Sequence, residues 1–392
     1  MGVTAIIFAI FLICKVTTGQ SEISDPENAE NVKSTKNSKC ADDKEIIFNL
    51  LKSHESTRVP STGEVTVNVE IWVQNILSVS DFYGDMELDM YVSEIWSGSR
   101  MNFDHMSPCN MNISLPSRLS EKFWTPHTGF INSKQFSIHV SPVPNMFFLL
   151  FENGTVWRNY RARAKVPCGT NFAYFPMDTK KCTLIFESYA YSIEQVRLKV
   201  GGNFFLFLNE DPLLTDFTVQ ETASALTAMK YPAGKWDEIT AWIVFKRLYG
   251  YYIIRSYIPS FLIMILSWTG FALGNKATTA RAILGIMSFV MMHTIYAEGV
   301  RNLPRISYVT AFDVWFITCS ALIVASLVEL AMVKFLAGDG EYMSGQYVSV
   351  GSRRSKSAAV ANMIDKVSRF AFPTLFAIFN IVYWSCYLQV EK

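Results

Sequence analysis

Residues 168–182 read CGTNFAYFPMDTKKC: two cysteines enclose thirteen residues centred on Phe175-Pro176-Met177-Asp178. The chain has seven cysteines. Cys14 lies in an N-terminal apolar stretch, while Cys319 and Cys386 lie in later apolar runs that suit packed thiols. Cys40, Cys109, Cys168 and Cys182 remain and allow three pairings. The close pair Cys168–Cys182 is preferred, which leaves Cys40–Cys109 as a second bridge.

A disulfide needs an oxidising compartment, and the sequence upstream agrees. An apolar stretch from Ile6 to Cys14, too short to span a bilayer and followed by small residues, reads as a signal peptide over residues 1–19. Asn112-Ile113-Ser114 and Asn153-Gly154-Thr155 are glycosylation sequons, making Asn112 and Asn153 candidate acceptors. Between residues 20 and 250 charge, Pro, Gly and aromatics are mixed as in a soluble domain. Val65, Val67, Val69, Ile71 and Val73 share one face of a period-two pattern, and Met86, Leu88, Met90 and Val92 repeat it. Tyr160, Ala162, Ala164 and Val166 alternate with Asn159, Arg161, Arg163 and Lys165. Period two between turn residues predicts an extracellular antiparallel β-sandwich. The run DDKEIIFNLL predicts a helix before it.

Downstream of residue 250 the composition changes. Half of the 392 residues are apolar and the net charge is +1, so the averages alone decide nothing. The distribution does. Four apolar segments follow: Ile253–Ala272, Ala282–Ala297, Tyr308–Val333 and Phe370–Val390. They predict an all-α bundle of four membrane helices, three within 251–333 and the fourth within 370–392. Between them, residues 334–369 carry six basic and three acidic residues and are expected in the cytoplasm by the positive-inside rule. An even number of spans after a signal peptide puts both termini outside the cell.

The second segment is polar for a lipid-facing helix, with Ser288, His293 and Thr294 inside it and Arg281 and Glu298 flanking it. Polar groups at membrane depth face a cavity or another helix. Stepping from Arg281 gives Ile283, Met287, Val290, Thr294, Ala297 and Arg301. With Thr279 and Ala280 just before, these form a candidate pore stripe.

The disulfide loop resembles the signature loop of Cys-loop receptors. GYYIIRSYIPSFLIMILSW (250–268), LPRISYVTAFDVW (303–315) and Trp124-Thr125-Pro126 also match that family, so the resemblance covers roughly residues 40–390. It implies a pentameric ligand-gated ion channel, as a homo- or heteropentamer, in the plasma membrane of a synapse. It places the disulfide loop against the 300–308 linker. It also pairs Asp178 with Arg247, a contact expected to couple binding to gating.

The resemblance also implies an agonist pocket between subunits. Its candidate residues here are Tyr91, Phe130, Trp157, Glu187, Tyr189, Tyr191 and Trp236. Aromatic rings hold an ammonium by cation–π attraction. Related receptors for GABA, glycine and glutamate carry an Arg where this chain has Ser93, and a guanidinium matches a carboxylate bidentately. Asn159 and Arg161 could replace that anchor in part. The expected agonist is therefore a small amine neurotransmitter, such as acetylcholine or a biogenic amine.

The family's cation channels place a Glu ring at the inner mouth, and here Ala277–Arg281 has no carboxylate. A ring of Arg281 would favour anions, so chloride is the expected ion. Bulky Ile283 and Met287 leave a non-conducting accessory subunit as an alternative, and a cation-selective receptor as another. No metal spacing, phosphate loop or nucleophile motif points to an enzyme, a cofactor, a metal or a nucleic-acid partner.

Overall fold

A computed structural model describes residues 40–53, 58–61, 63–208, 214–273, 277–337 and 351–388. The signal peptide, Cys14 and the Ser/Gly-rich part of the cytoplasmic loop lie outside the described residues. From Ala41 onward the chain forms one compact unit. It opens with helix α1 (Asp43–Ser53), whose Ile46 and Leu50 pack into the sandwich core.

Eleven strands are described in the extracellular part. They are β1 (Val65–Ser80), β2 (Asp85–Ser97), β3 (Asn112–Leu115), β4 (Thr128–Phe130), β5 (Gln135–Ile138) and β6 (Met146–Phe151). β7 (Thr155–Thr170), β8 (Thr179–Ser188), β9 (Val196–Phe207), β10 (Phe217–Tyr231) and β11 (Gly234–Arg247) follow. One layer runs β9-β1-β2-β7, with β5 and β6 also on β7; the other runs β10-β11-β8, with β4 on β8. The layers meet where β7 pairs with β8 at Cys168↔Cys182, and those two cysteines are bonded. Cys109 donates its amide to the Ala41 carbonyl at 3.2 Å, so the chain following Cys40 runs beside it.

The period-two residues do what their spacing requires. Val65 to Val73, Met86 to Val92 and Tyr160 to Val166 turn their apolar members inward, and these are almost fully buried. Pairing is antiparallel except for β1 with β9, which run parallel. That exception to the expected antiparallel sandwich has a simple cause. β9 returns to β1 through a long excursion across the other strands, as a parallel partner must.

Four helices are long and apolar enough to cross a membrane. They are α2 (Gly250–Ala272), α3 (Thr278–Val300), α4 (Ala311–Ala337) and α5 (Gly351–Leu388). α3 extends beyond the uncharged run at both ends, and at its first turn Arg281 finds partners inside the bundle. α5 begins well before Phe370, so part of the expected cytoplasmic loop is continuous with the fourth helix. Trp315, Tyr257, Phe376 and Tyr383 form the aromatic centre of this bundle.

Candidate functional site

The first group of candidate residues stands on the outward face of β2 and β7. Register pairs Tyr91 with Arg161, Ser93 with Asn159 and Ile95 with Trp157. Alternation sends Val92, Tyr160 and Ala162 into the core and leaves Tyr91, Ser93, Trp157, Asn159 and Arg161 on one side. The Ser93 hydroxyl is buried and accepts the Trp157 indole N–H at 2.8 Å. Phe147 meets the Trp157 ring edge-on at 5.1 Å.

Arg161, expected as a partial substitute for the anchor missing at Ser93, is engaged by a carboxylate of this chain. Its Nε lies 3.1 Å from Asp89 Oδ1 and its Nη2 lies 2.5 Å from Oδ2, while its guanidinium sits 5.7 Å from the Tyr91 ring. His139 Nε2 is 3.1 Å from the same Asp89 Oδ1. Burial by itself would raise the Asp89 carboxyl, but the hydrogen bond and charge of Arg161, with His139 beside it, hold it below its ordinary value.

The second group stands on the other layer, where β8, β10 and β11 adjoin. Glu187 opposes Glu238 in register. The Tyr231 hydroxyl donates to Glu187 Oε2 at 3.2 Å, and its ring meets Trp236 at 5.6 Å, nearly perpendicular. Both glutamates are 6% exposed. Burial raises the Glu187 carboxyl, the Tyr231 hydrogen bond opposes that shift, and the Glu238 charge adds to it; the net direction is upward. Tyr189 is 84% exposed, with its amide tied to the His127 carbonyl at 3.0 Å. The hairpin closes at Tyr231↔Gly234. Gly234 has φ +147°, and a Cβ there would lie 3.2 Å from the Trp236 ring, so the glycine lets the tryptophan sit against the turn. Tyr231 and Glu238 were missed from sequence. The signal for Tyr231 was an aromatic just before the Pro232-Ala233-Gly234 turn, facing Trp236 across it.

Two expected pocket residues lie elsewhere. Phe130 is in the hydrophobic core, 5.1 Å from Phe186 and 5.7 Å from Phe136. Tyr191 accepts the Trp124 indole N–H at 2.9 Å and stacks on His127. Its place is in the packing around Trp124-Thr125-Pro126.

At the membrane end of the sandwich, Arg247 is 3% exposed and grips two carboxylates at once. Nε and Nη2 reach Asp178 at 2.6 and 3.1 Å, and Nη1 and Nη2 reach Asp81 at 2.7 and 2.9 Å. Lys180, fully buried, also pairs with Asp81. Asp81 and Lys180 were not singled out from sequence, because Asp81 sits in a β1–β2 turn with no pattern around it. The disulfide loop touches the helices directly. The Phe172 amide donates to the Tyr308 hydroxyl at 2.9 Å, and the Phe312 amide donates to the Phe175 carbonyl at 3.1 Å.

On α3, Thr279, Ala280, Ile283, Met287, Val290, Thr294, Ala297 and Arg301 are exposed along one side. Arg281 does not belong with them. It is 5% exposed and lies inside the bundle, 3.2 Å from Glu329 of α4 and 2.9 Å from Asp365 of α5, with its guanidinium 5.4 Å from the Phe271 ring. The reason is geometric. Arg281 and Val290 are two and a half turns apart, so their side chains leave the helix on opposite sides. Gly285, Ser288 and Met292 share the buried side with Arg281. Within this chain the Arg281 charge is therefore turned into the bundle and away from the exposed stripe. At the outer end Glu298 and Arg301 lie 3.8 Å apart, both about 70% exposed.

Residues 43–249 match the neurotransmitter-gated ion-channel ligand binding domain, and residues 256–343 match the neurotransmitter-gated ion-channel transmembrane region. Several proteins of Caenorhabditis elegans are similar. Probable ligand-gated ion channel 46 is 40% identical over 84% of this chain and 64% of its own length. Acetylcholine-gated chloride channel subunit acc-2 is 35% identical over 90% of this chain and 87% of its own length. Serotonin-gated chloride channel mod-1 is 38% identical over 74% of this chain and 60% of its own length. The chain thus spans less than two thirds of the first and third of these.

Proposed function

The chain belongs to the neurotransmitter-gated ion-channel family, and from that membership we propose that it forms a chloride channel opened by an extracellular amine. It is a ligand-gated ion channel subunit and not an enzyme. The observation that carries the agonist reading is the second group: two buried carboxylates, Glu187 and Glu238, set among Tyr231, Trp236 and exposed Tyr189. Aromatic faces and a nearby carboxylate suit an ammonium, where a desolvated cation–π contact contributes about 2 kcal/mol or more. In the pentameric architecture of the family, this surface of one subunit would meet the Tyr91–Trp157 surface of the next. Relatives named as acetylcholine- and serotonin-gated channels agree with an amine.

Chloride now rests on different grounds from a ring of Arg281. The exposed stripe of α3 from Thr279 to Ala297 holds no carboxylate, and Glu298 at its outer end is offset by Arg301. Several relatives are named as chloride channels. The surrounding membrane is proposed to be synaptic, with both termini outside the cell. A second reading has its own observation. Ile283, Met287 and Val290 are apolar and about half exposed in succession, and such a stripe can dewet a pore. A homopentamer could then be silent and need a sister subunit.

Expression in oocytes under voltage clamp, with a panel of amines and amino acids, tests both. An amine should open a current whose reversal potential follows external chloride. A reversal potential indifferent to chloride refutes anion selectivity. Current appearing only with a sister subunit would establish the accessory reading.

A further inference from the structure

The outward face of β2 and β7 carries a row of acid–base pairs. Asp85 pairs with Lys134 at 3.1 Å, and Glu87 lies 3.5 Å from Arg163 and 3.9 Å from Lys165. The basic side chains of these pairs are 40–48% exposed, where solvent screening leaves an ion pair worth little. The Asp89–Arg161 pair differs from its neighbours. It is bidentate, at 3.1 and 2.5 Å, the arrangement in which a guanidinium recognises a carboxylate most selectively. Its side chains are only 8% and 28% exposed. It also stands where the aromatic part of the face begins, with Tyr91 directly opposite Arg161 and Ser93 opposite Asn159.

A guanidinium on this face, beside an aromatic ring, is the anchor that an amino-acid agonist would need. Asp89 already fills it. Being tethered, Asp89 competes at an effective concentration that a free ligand does not reach. His139, 3.1 Å from Asp89 Oδ1, holds it from the other side.

The geometry points to Asp89 as a specificity-determining residue: a built-in carboxylate that occupies Arg161 and so excludes carboxylate-bearing agonists from this face. This rests on the reading above that the Tyr91–Trp157 face is half of the agonist pocket. The pair remains charged near neutral pH, because Arg161 is raised chiefly by its hydrogen bond to Asp89 and Asp89 is held low. Ser93 and Asp89 then act together: one position lacks the anchor, and the other blocks its substitute.

The test is Asp89→Asn in oocytes under voltage clamp, with GABA, glycine and glutamate compared against acetylcholine, serotonin and tyramine. Freeing Arg161 should lower the half-maximal concentration of at least one carboxylate-bearing agonist by about tenfold or more, with amine potency changed far less. Adding Arg161→Gln should abolish the gain. Glu87→Gln, the neighbouring pair, should produce none; an equal gain there would overturn the proposal by making it a general charge effect. An Asp89→Asn receptor still opened by its amine but no more sensitive to the three amino acids also overturns it. Failure of the underlying site reading looks different: Trp157→Leu, on the same face, would then leave the amine response at full potency. If Asp89→Asn alone does not reach the surface, tagged variant subunits co-expressed with wild type are compared in the same way, and unchanged amino-acid sensitivity of those mixed receptors counts against the proposal.

Discussion

Arg281 of α3 and Asp365 of α5 lie 2.9 Å apart inside the helix bundle, and Glu329 of α4 completes the contact from the other side at 3.2 Å. One cation thus ties three helices together at their inner ends. Arg281→Gln would strand two buried carboxylates, a loss of about 3–5 kcal/mol. Surface biotinylation should show much less receptor at the membrane. Channels that do assemble should keep their reversal potential tied to chloride, since this charge does not face the exposed stripe. A switch in selectivity would contradict the placement.

Arg247 shares its guanidinium between Asp178 and Asp81. Replacing either aspartate by alanine leaves Arg247 one partner, whereas Arg247→Ala leaves Asp81 with Lys180 and takes from Asp178 the guanidinium that grips it. The ordering of damage should follow. Asp178→Ala and Asp81→Ala each shift the concentration–response curve to higher agonist at preserved surface density, and Arg247→Ala does the most harm. Equal responses from all three and from wild type would remove the coupling role.

The raised carboxyl of Glu187 gives a sign for pH. An ammonium ligand favours the ionised form, and acidification through the raised pKa neutralises it. Amine potency should therefore fall as external pH is lowered, beginning at a higher pH than an ordinary glutamate would show. Glu187→Gln should flatten that dependence.

Tyr231 and Trp236 can be separated by magnitude. Tyr231→Phe removes one hydrogen bond to Glu187, an effect of about 1 kcal/mol and so less than about tenfold in potency. Trp236→Leu removes an aromatic face, about 2 kcal/mol or roughly thirtyfold. Concentration–response curves for the activating amine read both.

Asn112 and Asn153 are exposed, and Asn153 Oδ1 accepts the Thr155 amide at 2.9 Å in a turn that presents the sequon outward. Asn112→Gln and Asn153→Gln should each remove one step of mobility shift from the glycosidase-sensitive protein on a gel.

Much of the fold was legible because its determinants are local. Alternation of period two put Val65 to Val73 and Met86 to Val92 inward whatever they pack against. Uncharged apolar length marked the helices without knowledge of their neighbours. Helix ends were less legible: α3 runs past Arg281, and two carboxylates on other helices receive that side chain.

Site residues divided along the same line. The sequence by itself determined, through alternation, that Trp157, Asn159 and Arg161 share one strand face; Tyr91 and Ser93 entered through the resemblance, and the strand register sets Tyr91 opposite Arg161 and Ser93 opposite Asn159. The half-turn between Arg281 and Val290 was also present in the spacing, although stepping from Arg281 obscured it. Only the tertiary structure decided which charges were free. Arg161 and Arg281 look alike in a sequence, as cations beside candidate functional residues. Each proves to be engaged by carboxylates: Arg161 by Asp89 on the adjoining strand, Arg281 by Glu329 and Asp365 on two other helices. Ionic partners are chosen by distance in space, and chain separation carries no record of that distance.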